Sequence, residues 1–416
     1  MPSSVSVVHI NATDSAGGTA RAGYRIHEGL KRLGARSRVL VGWKFGEDAD
    51  VDTISAGPGR VLDRLCARAT DRASLQYLFI PSSLALPSRR WVREADVIQL
   101  YSSHGGYFSH TILPRLSRLR PVVWRLSDMW PLTGHCAYSY GCERWKTGCG
   151  ACPLLEDYPS LRHDRTAFLW RTKRRLYRDS RLVIVSPSQW LAGLVRQSPL
   201  LGERPLHVIP TGVDTEIFHP MPKAEARALA GIEPGGPVLF FNAQFLDDRR
   251  KGAVVLTQAL ERLSPDQRRQ LRLVTVGALR DRRAWQAPVP TAHLGPIDDD
   301  RRLAALYAAA DLCVLPTLAD NLPNSALESL ACGTPVVSFR VGGVPEVVRH
   351  LETGYLAAPE DAGELARGLA RLLDDEPLRA RLGGQGRTQM LDEHTLDRQA
   401  GRFLDLYRQM LERDGG

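Results

Sequence analysis

Short apolar runs alternate with longer amphipathic stretches along most of the chain. Residues 5–10 (VSVVHI) read as a buried strand, and Gly17-Gly18 then opens a helix that Gly34 closes. Residues 38–41, 95–101 (ADVIQLY), 121–125 (PVVWR) and 182–186 (LVIVS) repeat the strand signal. The pattern restarts near Val208-Ile209-Pro210, with strands predicted over 238–242, 273–276, 312–315 and 335–339. Residues 220–236, with proline and glycine at both ends, read as a connection. Near the C-terminus Leu396, Ala400, Phe403, Tyr407 and Met410 or Leu411 fall on one helical face. Strands separated by helices imply right-handed crossovers and parallel sheets covered on both faces. The predicted class is α/β, with two doubly wound Rossmann-like domains over 1–203 and 204–385. A closing helix over 386–416 is expected to pack back toward the N-terminal domain. A cleft at the carboxyl ends of the strands is where a ligand is expected.

Composition narrows this picture. A chain of 416 residues, 43% hydrophobic and 24% charged, is too long for one ordinary core and suits two. No run approaches the ~20 apolar residues of a membrane span. The opening MPSSVSVVHINATDSAGG lacks a basic region ahead of an apolar one, so a cytoplasmic location is expected. The formal charge of +9 comes from 55 basic residues, only six of them lysine. The arginines form no single stripe with interleaved aromatics, so nucleic acid is not an expected partner. In residues 60–72 (RVLDRLCARATDR), Leu62, Leu65, Cys66 and Ala69 share one side and arginines the other. That segment could lie against the inner, anionic face of a membrane, or be an ordinary surface helix.

The most informative stretch is 316–335, PTLADNLPNSALESLACGTP. A strand ends at Leu315, a loop carries Asp320-Asn321-Leu322-Pro323-Asn324, and a helix begins near Ser325. The unpaired amides of a helix start favour a phosphate, and Asp320 and Glu328 would flank it. Two acids so placed suit a ligand with hydroxyls at both ends and a diphosphate between. A capped helix whose acids complement its dipole is the plainer alternative. Upstream, 240–252 (FFNAQFLDDRRKG) brings Arg249, Arg250 and Lys251 just before Gly252. Asp298-Asp299-Asp300, at a helix start, reads as capping rather than a metal site.

Together with GTPVVSFRVGGVPEVV and TGYL downstream, these segments resemble the donor site of retaining glycosyltransferases of the GT-B fold, family 4. IPTGVDTEIF and LYAAADLCVLPT are also similar to that family. The resemblance implies a nucleotide diphosphate sugar as donor, Glu328 on the ribose hydroxyls and Asp320 on the transferred sugar. Amides around Leu322, Pro323, Asn324 and Ser325 would line the sugar and phosphates. Lys251 matches the family's lysine, with Arg250 offered for its arginine. No metal is expected for catalysis, because the cations do that work. The family's Glu-x7-Glu is here Asp320-x7-Glu328, one methylene shorter at its first acid.

In the first half, Gly17 and Gly18 would shape the phosphate pocket, and His104-Gly105-Gly106 makes a second glycine turn. WRLSDMWPLTGHCAYSYGCERWKTGCGACP (124–153) resembles a subgroup of family 4 in bacterial surface-polysaccharide assembly. Where many relatives have a histidine facing the reacting sugar, this chain has Ser127 followed by Asp128, and His135 is a candidate substitute. Cys136, Cys142, Cys149 and Cys152 crowd into 17 residues, ending in C-x2-C. That knuckle suits a structural zinc, with a disulfide or free thiols as alternatives. The resulting expectation is a hexosyltransferase acting on a glycan or lipid-linked glycan. A non-catalytic sugar-nucleotide-binding partner and a GT-B-shaped epimerase are the alternatives.

Overall fold

The computed structural model describes residues 5–233, 235–281 and 285–414. Contacts divide the chain into two compact units, 1–210 with 399–416, and 211–398. Each is built on one parallel sheet.

The first unit contains β1 (Ser6–Thr13), β2 (Arg36–Trp43), β3 (Val51–Thr53), β4 (Val97–Leu100), β5 (Val122–Arg125), β6 (Leu182–Ser186) and β7 (Leu206–Val208). Their order is β3-β2-β1-β4-β5-β6-β7. The strands are apolar on both sides because helices cover both faces. Val8, Ile10, Ile98, Leu100, Val122 and Trp124 enter one core, while Val7, Val97 and Val123 enter another. The second core is completed by Ala400, Phe403 and Tyr407 of the Leu396–Asp414 helix. Tyr407 also donates to Gln99 Oε1 at 2.9 Å. The C-terminal helix therefore belongs to the first unit, as its apolar stripe suggested.

The second unit contains β8 (Val238–Phe245), β9 (Arg272–Ala278), β10 (Thr291–His293), β11 (Leu312–Leu315), β12 (Val336–Phe339) and β13 (Gly354–Ala357). Their order is β10-β9-β8-β11-β12-β13. Asp299 caps the Asp300–Ala309 helix by accepting from the amides of Arg301 and Arg302, and Asp300 lies in its first turn.

Three expectations are corrected. The boundary falls after Pro210 rather than 203, because β7 pairs with β6 in register Ile184–Leu206 and extends the first sheet. Residues 386–398 stay with the second unit, since the Glu376–Glu393 helix buries Leu378, Leu382 and Met390 there. Within 220–236, residues 223–230 form a helix (Lys223–Ala230) that buries Ala226 and Ala230 and closes on left-handed Gly231. Two small buried side chains four residues apart were too weak a periodic signal to outweigh the flanking prolines and glycines.

Candidate functional site

In the second sheet the strand order reverses between β8 and β11, and the loops that follow those two strands carry the predicted site. Such a switch leaves a crevice at the carboxyl ends of parallel strands. After β8 the chain makes a short 3-10 turn, Arg249–Lys251, capped by Asp248 accepting from the Arg250 amide at 2.9 Å. The turn is clamped to the loop after β11. Arg250 O accepts from Leu318 N–H at 2.8 Å and from Thr317 Oγ1 at 3.1 Å. Gly252 ends the turn at φ 73°, where a Cβ would stand 1.7 Å from Pro316 O. Only glycine lets the two loops approach so closely. On the other side of Asp320, Gly342 has φ 56° and would place a Cβ 1.8 Å from Asp320 O.

Held between these glycines, Asp320 meets both cations. Its Oδ2 lies 2.7 Å from Lys251 Nζ and 3.2 Å from Arg250 Nη1, and its Oδ1 accepts from Asn321 N–H at 3.0 Å. Burial alone would raise the Asp320 carboxyl, but Lys251 and Arg250 outweigh it and hold the group below the usual carboxylate range. Burial, with Arg250 alongside, lowers the Lys251 ammonium despite Asp320. The result is two cations around one anion, a net positive point.

The Asn324–Ala331 helix follows from Pro323, with no side chain capping its start. Pro323, Ser325, Lys251 and Asp320 line a small open depression, together with Asn242 from β8. Leu322 is buried in the core, and Asn321 is buried beside Asp320. Glu328 sits within the helix, buried, and accepts from Tyr307 OH at 3.1 Å. Tyr307 in turn accepts from Asn242 Nδ2 at 3.0 Å. Asp320 thus reaches the depression directly, and Glu328 is tied to it through Tyr307 and Asn242. Neither intermediary was among the expected site residues. Tyr307 looked like one more apolar position of an alanine-rich helix, and its hydroxyl gains a role from Glu328 and Asn242, which come from other elements.

In the first unit, Gly17 precedes the Gly18–Arg32 helix at φ 91°, with no side chain capping that start. The loop after β5 holds Asp128, whose Oδ1 accepts from Trp130 N–H at 2.9 Å. Its Oδ2 lies 2.8 Å from Nε2 of His104, in the loop after β4. His104 Nδ1 in turn faces Tyr158 OH at 3.3 Å. Asp128 therefore has a histidine partner, and it is His104. His135 is buried elsewhere, with Nδ1 2.9 Å from Pro159 O and Nε2 3.3 Å from Cys152 Sγ. Both its ring nitrogens are engaged, one by Pro159 O and the other by Cys152 Sγ, whereas the histidine on Asp128 is His104.

All four cysteines of that loop are free thiols. Among the described residues, the only three candidate metal-ligand atoms within 4.8 Å of one another belong to His27, Asp48 and Asp50. There Lys31 already stands 2.8 Å from Asp50.

Comparison with known proteins bears on each unit. The Glycosyltransferase Family 4 model matches residues 16–217, and the Glycosyl transferases group 1 model matches 236–375. The chain is 29% identical over 292 residues to the putative colanic acid biosynthesis glycosyl transferase WcaC of Escherichia coli (strain K12). That match covers 66% of this chain and 67% of WcaC. It is 36% identical over 191 residues to the D-inositol 3-phosphate glycosyltransferase of Acidothermus cellulolyticus, spanning 42% of each protein. Among solved structures, sucrose-phosphate synthase from Thermosynechococcus elongatus superposes with a TM-score of 0.70 at 18% identity, over 98% of this chain and 100% of that one. Anabaena HepE, in complex with UDP and glucose, gives 0.66 at 17% identity, over 97% and 100%.

Proposed function

Because the chain belongs to the group 1, family 4 glycosyltransferases and has their GT-B fold, we propose that it moves a hexosyl unit, with retention of configuration, from a nucleotide diphosphate sugar to a glycan or lipid-linked glycan. Surface-polysaccharide assembly is the setting suggested by the likeness to WcaC, and a diphosphate donor by HepE, solved with UDP.

The observation that carries this reading is the pairing of Lys251 and Arg250 on Asp320 beside the uncapped start of the Asn324–Ala331 helix. A diphosphate entering there meets two cations and a helix terminus, each favouring the charge that develops on the leaving phosphate. Asp320 keeps the cations in place and accepts from a hydroxyl of the transferred sugar, while Glu328 takes the ribose hydroxyls. The bond from the sugar C1 to the phosphate oxygen breaks, and the acceptor oxygen bonds to C1 on the same face. The acceptor's proton passes to the departing phosphate. The cations neutralise that phosphate without a metal, so transfer should persist in EDTA.

Screening nucleotide sugars by thermal shift, then following the anomeric proton of the product by NMR, tests the reading. A donor that stabilises the protein and gives an axial-to-axial or equatorial-to-equatorial product supports it; inversion, or no donor bound, overturns it. Glu328→Gln keeps the volume and one acceptor for Tyr307 but removes the charge. It is expected to raise the donor KM about tenfold or more, the loss of a charge-assisted hydrogen bond. An unchanged KM would remove Glu328 from the donor site.

The Gly57–Arg72 helix leaves Val61, Leu62 and Leu65 exposed, with Arg64, Arg68 and Arg72 also on the surface. No helix among the described residues is long and apolar enough to cross a membrane. A lipid-linked acceptor suggests that this helix rests on an anionic surface. Co-sedimentation with anionic vesicles is expected at low salt, to fall at high salt, and to fail in Leu62→Glu/Leu65→Glu. Absence of binding by the parent protein at low salt would exclude the contact.

A further inference from the structure

Donor chemistry makes no use of the loop from His135 to Cys152, where three observations converge. The first is the histidine. A carbonyl oxygen only accepts, so the 2.9 Å contact with Pro159 O places the proton on Nδ1. Nε2 then keeps its lone pair, which faces Cys152 Sγ at 3.3 Å. A carbonyl on the far nitrogen is how metal-ligating histidines are oriented. Zinc bonds of about 2.0 Å to nitrogen and 2.3 Å to sulfur, at a tetrahedral angle, set the two ligand atoms about 3.5 Å apart.

The second observation is the knuckle. Cys149 Sγ accepts from Gly134 N–H at 3.2 Å, and Cys152 Sγ from Leu154 N–H at 3.4 Å. Burial pushes both thiols up, Cys149 to about 11, and these two N–H donors oppose it. Cys149 and Ala151 adopt left-handed backbone, φ 57° and 47°. Arg144 grips the carbonyls of Gly150 and Ala151 at 2.9 and 2.7 Å.

The third is Lys173 on the Thr166–Arg178 helix. It is buried, with Nζ donating to Trp130 O at 2.6 Å and Thr133 O at 3.0 Å, and lying 3.1 Å from the Trp130 ring centroid. Among the described residues no carboxylate forms an ion pair with it. Burial pushes the Lys173 amine well below its ordinary value, and Cys149, Cys136 and Asp128 are the groups near enough to oppose that.

We infer that this loop binds a zinc ion through His135 Nε2 and the thiolates of Cys142, Cys149 and Cys152. These three thiols are half-buried alike, whereas Cys136 is buried. Each thiol releases its proton to water as it binds. Three thiolates around a divalent ion leave one negative charge. No three of these donor atoms lie within 4.8 Å of one another, so binding turns the Cys142 and Cys149 side chains inward. The ion would fasten the loop beside Asp128, since Met129 N–H already donates to Ala137 O at 2.8 Å.

Metal analysis of the full chain, expressed with added zinc and purified without chelator, tests this. About one zinc per chain is expected, retained in Cys136→Ser and lost in Cys149→Ser and His135→Gln. Should a variant fail to fold, titrating the parent protein with a mercurial while a dye records released zinc replaces it. Release in step with thiol blocking supports the site. Zinc far below one per chain, zinc retained in both ligand variants, or an intact Cys149–Cys152 disulfide by mass spectrometry would overturn it.

Discussion

Lys251→Met is expected to lower transfer about 100- to 1,000-fold, the scale of removing one preorganised donor from a developing oxyanion. Methionine keeps the apolar stem, so the change isolates the ammonium. Arg250 remains on Asp320 at 3.2 Å, which limits the effect on folding. The loss should appear in the affinity for nucleoside diphosphate, measured by calorimetry, and in kcat. The acid limb of the pH profile should move as well. In the parent protein Asp320 is held below the usual carboxylate range, so its pairing is present above that range and is lost as pH falls through the depressed value. Without Lys251, burial is opposed by Arg250 and the Asn321 amide, and the limb shifts to higher pH. Unchanged diphosphate affinity together with an unmoved acid limb would refute the role given to Lys251.

Gly252→Ala is expected to be the most damaging single-methyl change in the second unit. Its Cβ would fall 1.7 Å from Pro316 O, and φ 73° is a conformation that side chains rarely adopt. The loops after β8 and β11 would have to part, separating Lys251 from Asp320. A loss of about 3 kcal/mol, or roughly 6–12 °C in the unfolding midpoint, follows from strain and clash together. Gly231→Ala is the control. Its φ is 67°, but nothing lies within 4 Å of the added Cβ. It should cost only about 1–2 kcal/mol, the conformational term alone. Equal losses at the two sites would mean that close approach of the loops does not matter.

Legibility differed by element. Central strands such as β4, β5 and β11 could be read because a strand buried at four consecutive positions writes a short, nearly continuous apolar run into the chain. The edge strands β3 and β10, three residues each, were not recognised. A strand paired on one side, with exposed residues, carries neither the run nor the alternation that marks a strand. At the site, Lys251, Asp320 and Glu328 were identifiable by their spacing and their resemblance to a family. The partners that fix them were not, because Tyr307 and Asn242 reach Glu328 from other elements. The pairing of Asp128 with His104, 24 positions apart, is of the same kind.

Local chemistry in the chain was thus enough to specify parallel α/β architecture, a helix start near Ser325 and the identity of the charged residues around it. Each follows from neighbours in sequence, through alternation, capping and the conformational freedom of glycine. Which charge meets which was decided only on folding, when β8 and β11 came side by side and brought residues 69 positions apart to 2.7 Å. Folding also brought His135, 17 positions away in sequence, to 3.3 Å from Cys152 Sγ. A side chain's partners depend on where whole strands and loops stop, and no local periodicity encodes that.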